Sequence, residues 1–189
     1  MRKDWPALVQ GGEICGPAGG TAVTAELAEH LSYAFATWLA EEKDTTSDKL
    51  ILAVGRDNRP SGEALQQAAI RALTAADCDV YDAGIASTPS MYLTIVSGET
   101  HADGAIMVTA GTRSADWNGF KLMTRDGALR PDEQRALLAR AQSVSVPQRL
   151  VMGVDAMVPW RQRLGDMVRR RLDDDVQCPL VGLFLVVLT

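Results

Sequence analysis

Gly104–Thr124 reads GAIMVTAGTRSADWNGFKLMT. Two apolar runs, Ala105–Val108 and Gly119–Met123, flank a connector of small, polar and charged residues. A continuous apolar run of strand length points to a strand buried on both faces, and therefore to a sheet with helices on each side. The connector is too short for a crossover helix. The second run is thus expected to pair antiparallel with the first or to lie at the sheet edge. Reactive side chains are scarce in the connector, which has no histidine, no cysteine and one serine, Ser114.

Outward from this stretch the pattern repeats. LILAV (Leu50–Val54) is a second buried-strand run, and CDVYDAG (Cys78–Gly84) a third, shorter one. Between them, Ser61 is placed to cap a helix to about Ala76 with Leu65, Ala69, Ala72 and Leu73 inward. Earlier, Thr24 caps a helix to about Glu42, with Leu27, Leu31, Phe35, Trp38 and Leu39 on one face and Glu26 in its first turn. Thr88 and Pro89 open a helix carrying Met91, Tyr92, Ile95 and Val96, with Thr88 as cap and Pro89 at the first position. Asp126-Gly127 supplies a turn, and RPDEQRALLARAQ a further helix with Pro131 near its start. Alternating strands and helices of this length predict an α/β fold, a three-layer α/β/α arrangement around a mixed, mostly parallel sheet. Residues 1–20, rich in glycine and proline, read as a loop or irregular lead-in.

The domain reading is 1–145 for this unit and 146–189 for a linker, a helix and the first strand of a second domain that the chain ends inside. In the latter part Met157, Trp160, Leu164, Met167 or Val168, and Leu172 keep helical spacing, and Leu180–Leu188 reads as a strand without neighbours. That apolar segment makes self-association through the C-terminal strand an expectation.

Composition removes several classes. The chain has 189 residues, a net charge of −5 and 47% hydrophobic residues. The densest basic run, Arg169–Arg171, is followed at once by Asp173–Asp175, the pattern of a solvated helix end, so no nucleic-acid partner is expected. The longest apolar run, PLVGLFLVVLT, is far shorter than the roughly 20 residues of a spanning helix, so no membrane partner is expected. Three distant cysteines without a CxxC, and an N-terminus without an apolar signal core, fit a soluble cytoplasmic protein. His30 and His101 read as surface residues.

Ligands of such sheets gather at the carboxyl ends of the parallel strands. Three loops fall there: GRDNRPS, AGIASTPS and TAGTRSADW. Two of them lead into helix N-termini, which suit anions, although ordinary capping has the same appearance.

AVGRDNRPSGEALQQAAIRALTAADCDVYDAGIASTPSMYL, followed by DGAIMVTAGTRSADWNGFKL, resembles the first domain of the α-D-phosphohexomutases, the phosphoglucomutase and phosphomannomutase family. VGRDxR with a following serine, the Thr-Pro pair, the DGAIMVTA strand and NGFK occur in the family's order over roughly residues 20–140. The resemblance implies a hexose-phosphate mutase. In it a phosphoserine after the third strand exchanges its phosphoryl group with the sugar, and Mg2+ bridges that phosphoserine to aspartates of a later domain.

The decisive loop departs from the family's T-A-S-H-N-P pattern. Thr109-Ala110-Gly111-Thr112-Arg113-Ser114 puts Gly111 at the phosphoserine position and Thr112 at the histidine. Glu13-Ile14-Cys15-Gly16 stands where the family has D-I-R-G, so Cys15 replaces an arginine that makes bidentate phosphate contacts. Lys121 matches the family's proton-transfer lysine and is read as vestigial. Thr109, Thr112, Arg113, Ser114 and Asn118 form the candidate phosphate or substrate loop. Arg56, Asp57 and Arg59 are expected to hold it together by ion pairs and hydrogen bonds. Rescue by Thr112 or Ser114 is disfavoured, because transfer geometry tolerates about 1 Å. The expected outcome is an inactive family domain retaining no cofactor and binding at most a hexose phosphate. The alternatives are a non-catalytic sugar-phosphate-binding or subunit-pairing module, and a truncated product without function.

Overall fold

The computed structural model describes residues 4–18, 22–97 and 100–147. All fall within one compact unit, Met1–Leu150. The expected helix and strand beyond residue 150 lie outside the described residues, as does the self-association assigned to that strand.

After a 3₁₀ turn at Trp5–Leu8 come β1 (Val9–Gln10), β2 (Glu13–Pro17), α1 (Ala25–Glu42), β3 (Ile51–Arg56), α2 (Gly62–Ala75), β4 (Asp79–Ile85) and α3 (Thr88–Val96). Then follow β5 (Gly104–Val108), β6 (Trp117–Thr124), β7 (Gly127–Ala128) and α4 (Pro131–Ala141). Among the described residues the strands form one sheet in the order β1-β2-β6-β5-β3-β4, with β7 on β6. β3 pairs parallel with both β4 and β5, whereas β6 runs antiparallel to β5 and to β2. The mixed sheet and the antiparallel return of β6 match the sequence expectation, but the sheet is not mostly parallel. Among the described residues β3 pairs parallel with β4 and β5, and the four other pairings are antiparallel, because the glycine-rich lead-in adds β1 and β2 beside β6 and the Asp126-Gly127 turn adds β7.

The period-2 alternation of the central strands sorts the core into two layers. Leu52, Val54, Ile106, Val108, Phe120 and Leu122 pack with the buried faces of α1, α2 and α4. Ala53, Ala105, Met107 and Met123 pack with Met91 and Ile95 of α3. The α/β fold is therefore three-layered. Among the described residues no helix is long and apolar enough to cross a membrane. Cys15 of β2 and Cys78, just before β4, are buried free thiols, and burial, followed by the nearby carboxylates of Asp77 and Asp79, pushes the Cys78 thiol up to about 12.

Four local expectations are corrected. The N-terminal lead-in is not a loop: β2 is a sheet strand, with Ile14 and Cys15 buried against Phe120 and Gly119 of β6. The cap of α3 is Ser87, not Thr88, because Ser87 and Ser90 exchange hydrogen bonds in a capping box and Thr88 is already helical. Ser61 precedes α2 but does not cap it through its side chain, because its hydroxyl accepts from Asn118 Nδ2 at 2.8 Å. His30 is not a free surface residue. It donates from Nδ1 to the Ala141 carbonyl at 3.0 Å and meets Trp5 edge-on. His101 is exposed, as expected. Thr24 does cap α1, accepting from the Leu27 amide at 3.2 Å.

Gly119 is where β2 crosses β6 most closely. A Cβ built there would lie 2.0 Å from the Ile14 carbonyl oxygen and 2.9 Å from Cys15 Cα, both backbone atoms of β2. No side-chain movement relieves such a clash, so β2 must shift. Gly119→Ala is expected to lower the unfolding free energy by about 3 kcal/mol or more, at or beyond the upper end of overpacking costs. Hydrogen exchange should report the loss first at the β2 amides.

Candidate functional site

The parallel strands β3, β4 and β5 end along one edge of the sheet, and their loops gather there. The Asp57 amide donates to Val108 O at 3.1 Å, and the Ala86 amide to Arg56 O at 2.8 Å, which fixes the first loop against the other two strands. Between the loops lies an open cleft of about 600 Å³, lined by Asn58, Arg59, Ser87, Thr88, Met107 and Arg113 among others. The N-terminus of α3, with Ser87 and Thr88 on its wall, opens into it.

The loop that joins β5 to β6 is organised around one side chain. Arg59 has five N–H donors in a planar fork. Nε donates to Asp57 Oδ2 at 2.9 Å. The two terminal nitrogens reach four backbone carbonyls: Gly111 at 2.8 Å, Arg113 at 2.8 Å, Trp117 at 3.0 Å, and Ser114. The side chain is only 9% exposed, although the loop it gathers, Gly111–Asp116, is exposed. Asp57 completes the arrangement. Its Oδ1 accepts from the Arg59 amide at 3.1 Å, and its Oδ2 accepts from Thr109 Oγ1 at 2.7 Å. Thr109 Oγ1 in turn accepts from the Gly111 amide at 3.1 Å.

Gly111 itself has φ +57°, the left-handed region that favours glycine. A Cβ there would point at the Glu13 carboxylate, 3.5 Å from Oε2 and 3.9 Å from Oε1. Glu13 is held by Lys121, whose Nζ lies 2.6 Å from Oε1. The register explains the pair. Ile14 lies opposite Phe120, so the next step along the ladder sets Glu13 across from Lys121 on one face. Cys15 follows on the same face. Burial raises its thiol above the ordinary value, the Arg113 guanidinium pulls it down, and the Glu13 carboxylate raises it further.

The candidate residues fall into three groups. Arg59, Asp57 and Thr109 meet in the network that supports the loop, and Arg56 lies beside them, donating to Asp57 O at 3.2 Å. Gly111 and Lys121 meet at the Glu13 carboxylate. Thr112, Arg113 and Ser114 ride on the exposed loop, with Arg113 over the Trp117 ring at 5.1 Å and the Ser114 hydroxyl bonded to Asp116. Asn118 is set apart from the cleft. It is fully buried, donates to Ser61 Oγ, and accepts from the Gly119 amide at 2.9 Å. Glu13 is the residue that sequence reasoning missed. Glu13 stands two positions before Cys15 in a glycine-rich stretch, and only strand register brings it to Lys121.

Residues 8–145 match the family model described as phosphoglucomutase/phosphomannomutase, alpha/beta/alpha domain I. The chain belongs to this family. A phosphoglucosamine mutase of Arthrobacter sp. (strain FB24) is 37% identical over 111 residues, 59% of this chain and 24% of that protein. A phosphoglucosamine mutase of Frankia casuarinae is 34% identical over 173 residues, 87% of this chain and 37% of the relative. A phosphoglucomutase/phosphomannomutase of Thermococcus kodakarensis is 35% identical over 116 residues, 61% and 24% of the two chains. Among solved structures, a phosphoglucomutase/phosphomannomutase family protein of Burkholderia thailandensis superposes with a TM-score of 0.62 at 30% identity, covering 72% of this chain and 30% of that one. The chain thus spans roughly a quarter to two fifths of the length of the relatives it matches.

The phosphohexomutase family is generally Mg2+-dependent, and Mg2+ takes oxygen ligands in near-octahedral geometry. The groups around Gly111 do not fit that ion. Position 111 offers no side-chain oxygen, Glu13 is engaged by Lys121, and Asp57 is engaged by Arg59 and Thr109. Among the described residues no three His, Cys, Asp or Glu side chains converge as a metal ion requires.

Arg59→Lys tests the support network. An ammonium keeps the charge but cannot reach four carbonyls and a carboxylate from one plane. The substitution is expected to cost about 2–3 kcal/mol, the scale of one to two charge-assisted hydrogen bonds. It should also open Gly111–Asp116 to limited proteolysis, while Arg113→Lys leaves both readouts within about 0.5 kcal/mol of wild type.

Proposed function

We propose that this chain is a phosphohexomutase-family domain that does not transfer phosphoryl groups. One observation carries the reading: the position that faces Glu13 and Lys121 is Gly111, which has no oxygen on which phosphorus could rest. The neighbouring hydroxyls do not replace it. Thr109 donates to Asp57 and Ser114 is tied to Asp116. Thr112 is exposed on the loop whose carbonyls Arg59 gathers. Lys121 is neutralised by Glu13, so its ammonium is not free to serve a reacting oxygen.

The open cleft supports a second, non-catalytic role. Its loops come from three strand ends and one helix N-terminus, the place where sheets of this type take phosphorylated ligands. The ligand class is a hexose phosphate, and hexosamine phosphates belong to it because several relatives are phosphoglucosamine mutases. The reading includes a cytoplasmic setting, supported by the free thiols of Cys15 and Cys78.

Two measurements test the reading. After incubation of the full chain with a hexose bisphosphate and Mg2+, peptide mass spectrometry of residues 105–121 is expected to find no added phosphoryl group. Coupled assays on glucose 1-phosphate, mannose 1-phosphate and glucosamine 1-phosphate are expected to show no turnover above the uncatalysed rate. A stoichiometric, exchangeable phosphoryl label on that peptide would overturn the proposal.

A further inference from the structure

The edge of the sheet opposite the cleft carries a second groove, of about 580 Å³. It lies at the start of β5, where Gly104 pairs with Thr124 at the end of β6. Its walls are the C-terminal turn of α1, the β6–β7 turn and the N-terminus of α4. Those walls are fixed before any ligand arrives. Asp103 Oδ2 accepts from the Ile51 amide at 2.9 Å, and its Oδ1 accepts from Lys43 Nζ. Glu133 accepts from the Arg130 amide at 2.7 Å and pairs with the Arg130 guanidinium at 2.8 Å. The Tyr92 hydroxyl donates to the Arg125 carbonyl at 3.1 Å, which anchors the turn.

Trp38 gives the groove an aromatic wall. Its indole stacks on Phe35, with centroids 5.9 Å apart and planes 24° apart, and Phe35 is fully buried. One face of the indole is thus committed to the core, and the half-buried Trp38 turns its other side to the groove. The charges of the lining nearly cancel. Lys43 is paired with Asp103, and Arg130 with Glu133. Glu42, Arg125 and Asp126 are exposed and enter no ion pair among the described residues. Clefts that concentrate ions are lined by one sign of charge, whereas this one sets four carboxylates against three cations.

We propose that this groove binds a neutral saccharide, its ring stacked on Trp38 and its hydroxyls held by Glu42 and Arg125. A pyranose ring turns C–H groups of slight positive charge toward the negative face of an indole. Its hydroxyls donate to carboxylates and accept from guanidinium N–H groups, so both free groups of the lining find partners. A phosphoryl ester would face the four carboxylates, and a quaternary ammonium the three cations. The volume lies within the range of small-molecule sites. The groove is separate from the cleft at the carboxyl ends of β3, β4 and β5, and its ligand needs neither Gly111 nor a phosphoryl group.

The experiment titrates the full chain with glucose, N-acetylglucosamine and maltose, read by saturation-transfer difference NMR and by backbone amide shifts. At least one of these sugars is expected to bind with a millimolar dissociation constant and to receive saturation at its ring C–H protons. It should shift the amides of Arg125 and Gly127 and leave those of Thr88 and Gly111 in place. Trp38→Leu is expected to weaken binding about tenfold, the scale of one aromatic contact, and Trp38→Tyr to restore most of it. Arg125→Ala changes an exposed turn residue, and it is expected to weaken binding about fivefold with the melting temperature unchanged.

Should circular dichroism show Trp38→Leu unfolded, Trp38→Tyr and Arg125→Ala carry the test. No saturation of any of the three sugars overturns the proposal, as does binding that survives both Trp38→Leu and Arg125→Ala. Shifts confined to Thr88 and Gly111 would put the sugar in the cleft and overturn it too. Inorganic phosphate and choline serve as charged controls. Tighter binding of either one at the Arg125 and Gly127 amides would show that the groove selects charge, which the proposal denies.

Discussion

The guanidinium of Arg59 is the fixed point of this domain's loop edge. Its five donors close on one carboxylate and four backbone carbonyls contributed by residues 111, 113, 114 and 117. None of those acceptors is a side chain of the loop. The loop's path is therefore set by its backbone and by a residue more than fifty positions away. Loop side chains can change without the frame collapsing. The exposed surface of the loop and the buried fork beneath it have separate physical causes, and only the second determines shape.

The parts of the fold that were legible in the sequence are those governed by local pattern. Leu52–Val54 and Ile106–Val108 are continuous apolar runs because alternate side chains face α1 and α2 on one side and α3 on the other. Helices α1 and α2 announce themselves by the spacing of Leu27, Leu31 and Phe35, and of Leu65, Ala69 and Leu73. The antiparallel return of β6 follows from connector length. What escaped depends on contacts distant in sequence. β2 lies in a glycine-rich stretch with weak strand signal, and it is ordered by pairing with residues about a hundred positions later. Ser61 occupies a cap position by sequence yet serves Asn118 instead. Asn118 was grouped with the exposed loop, and the period-2 pleat turns it to the opposite face of β6.

The candidate site divides along the same line. Arg56, Asp57 and Arg59 read in the sequence as holding the loop by ion pairs and hydrogen bonds; that Arg59 does so through backbone carbonyls of residues 111–117 has no local signature. Glu13 was not singled out. An acidic residue in a glycine-rich stretch has no local signature of function, and its meaning comes from the ladder that sets it across from Lys121. In the family motif D-I-R-G the position of Glu13 is also acidic, so within Glu13–Gly16 the change that removes charge is Cys15.

Positions 13 and 111 are electrostatically linked, and this bears on how the site is to be understood. A phosphoryl group at 111 would bring about two negative charges to within a few ångströms of the Glu13 carboxylate. One lysine cannot neutralise both. With glycine at 111, the carboxylate and Lys121 balance one for one. With an anion at 111, the same lysine would face an excess of negative charge in a half-buried setting where screening by water is incomplete. With Cys15 where the family motif has an arginine, restoring a hydroxyl at 111 would supply an oxygen without supplying the second cation that a phosphoryl dianion needs. The left-handed backbone at 111 adds strain of roughly 1 kcal/mol for any residue but glycine. The geometry at this edge thus depends on the strand register that sets Glu13 across from Lys121 as much as on the loop residue at 111.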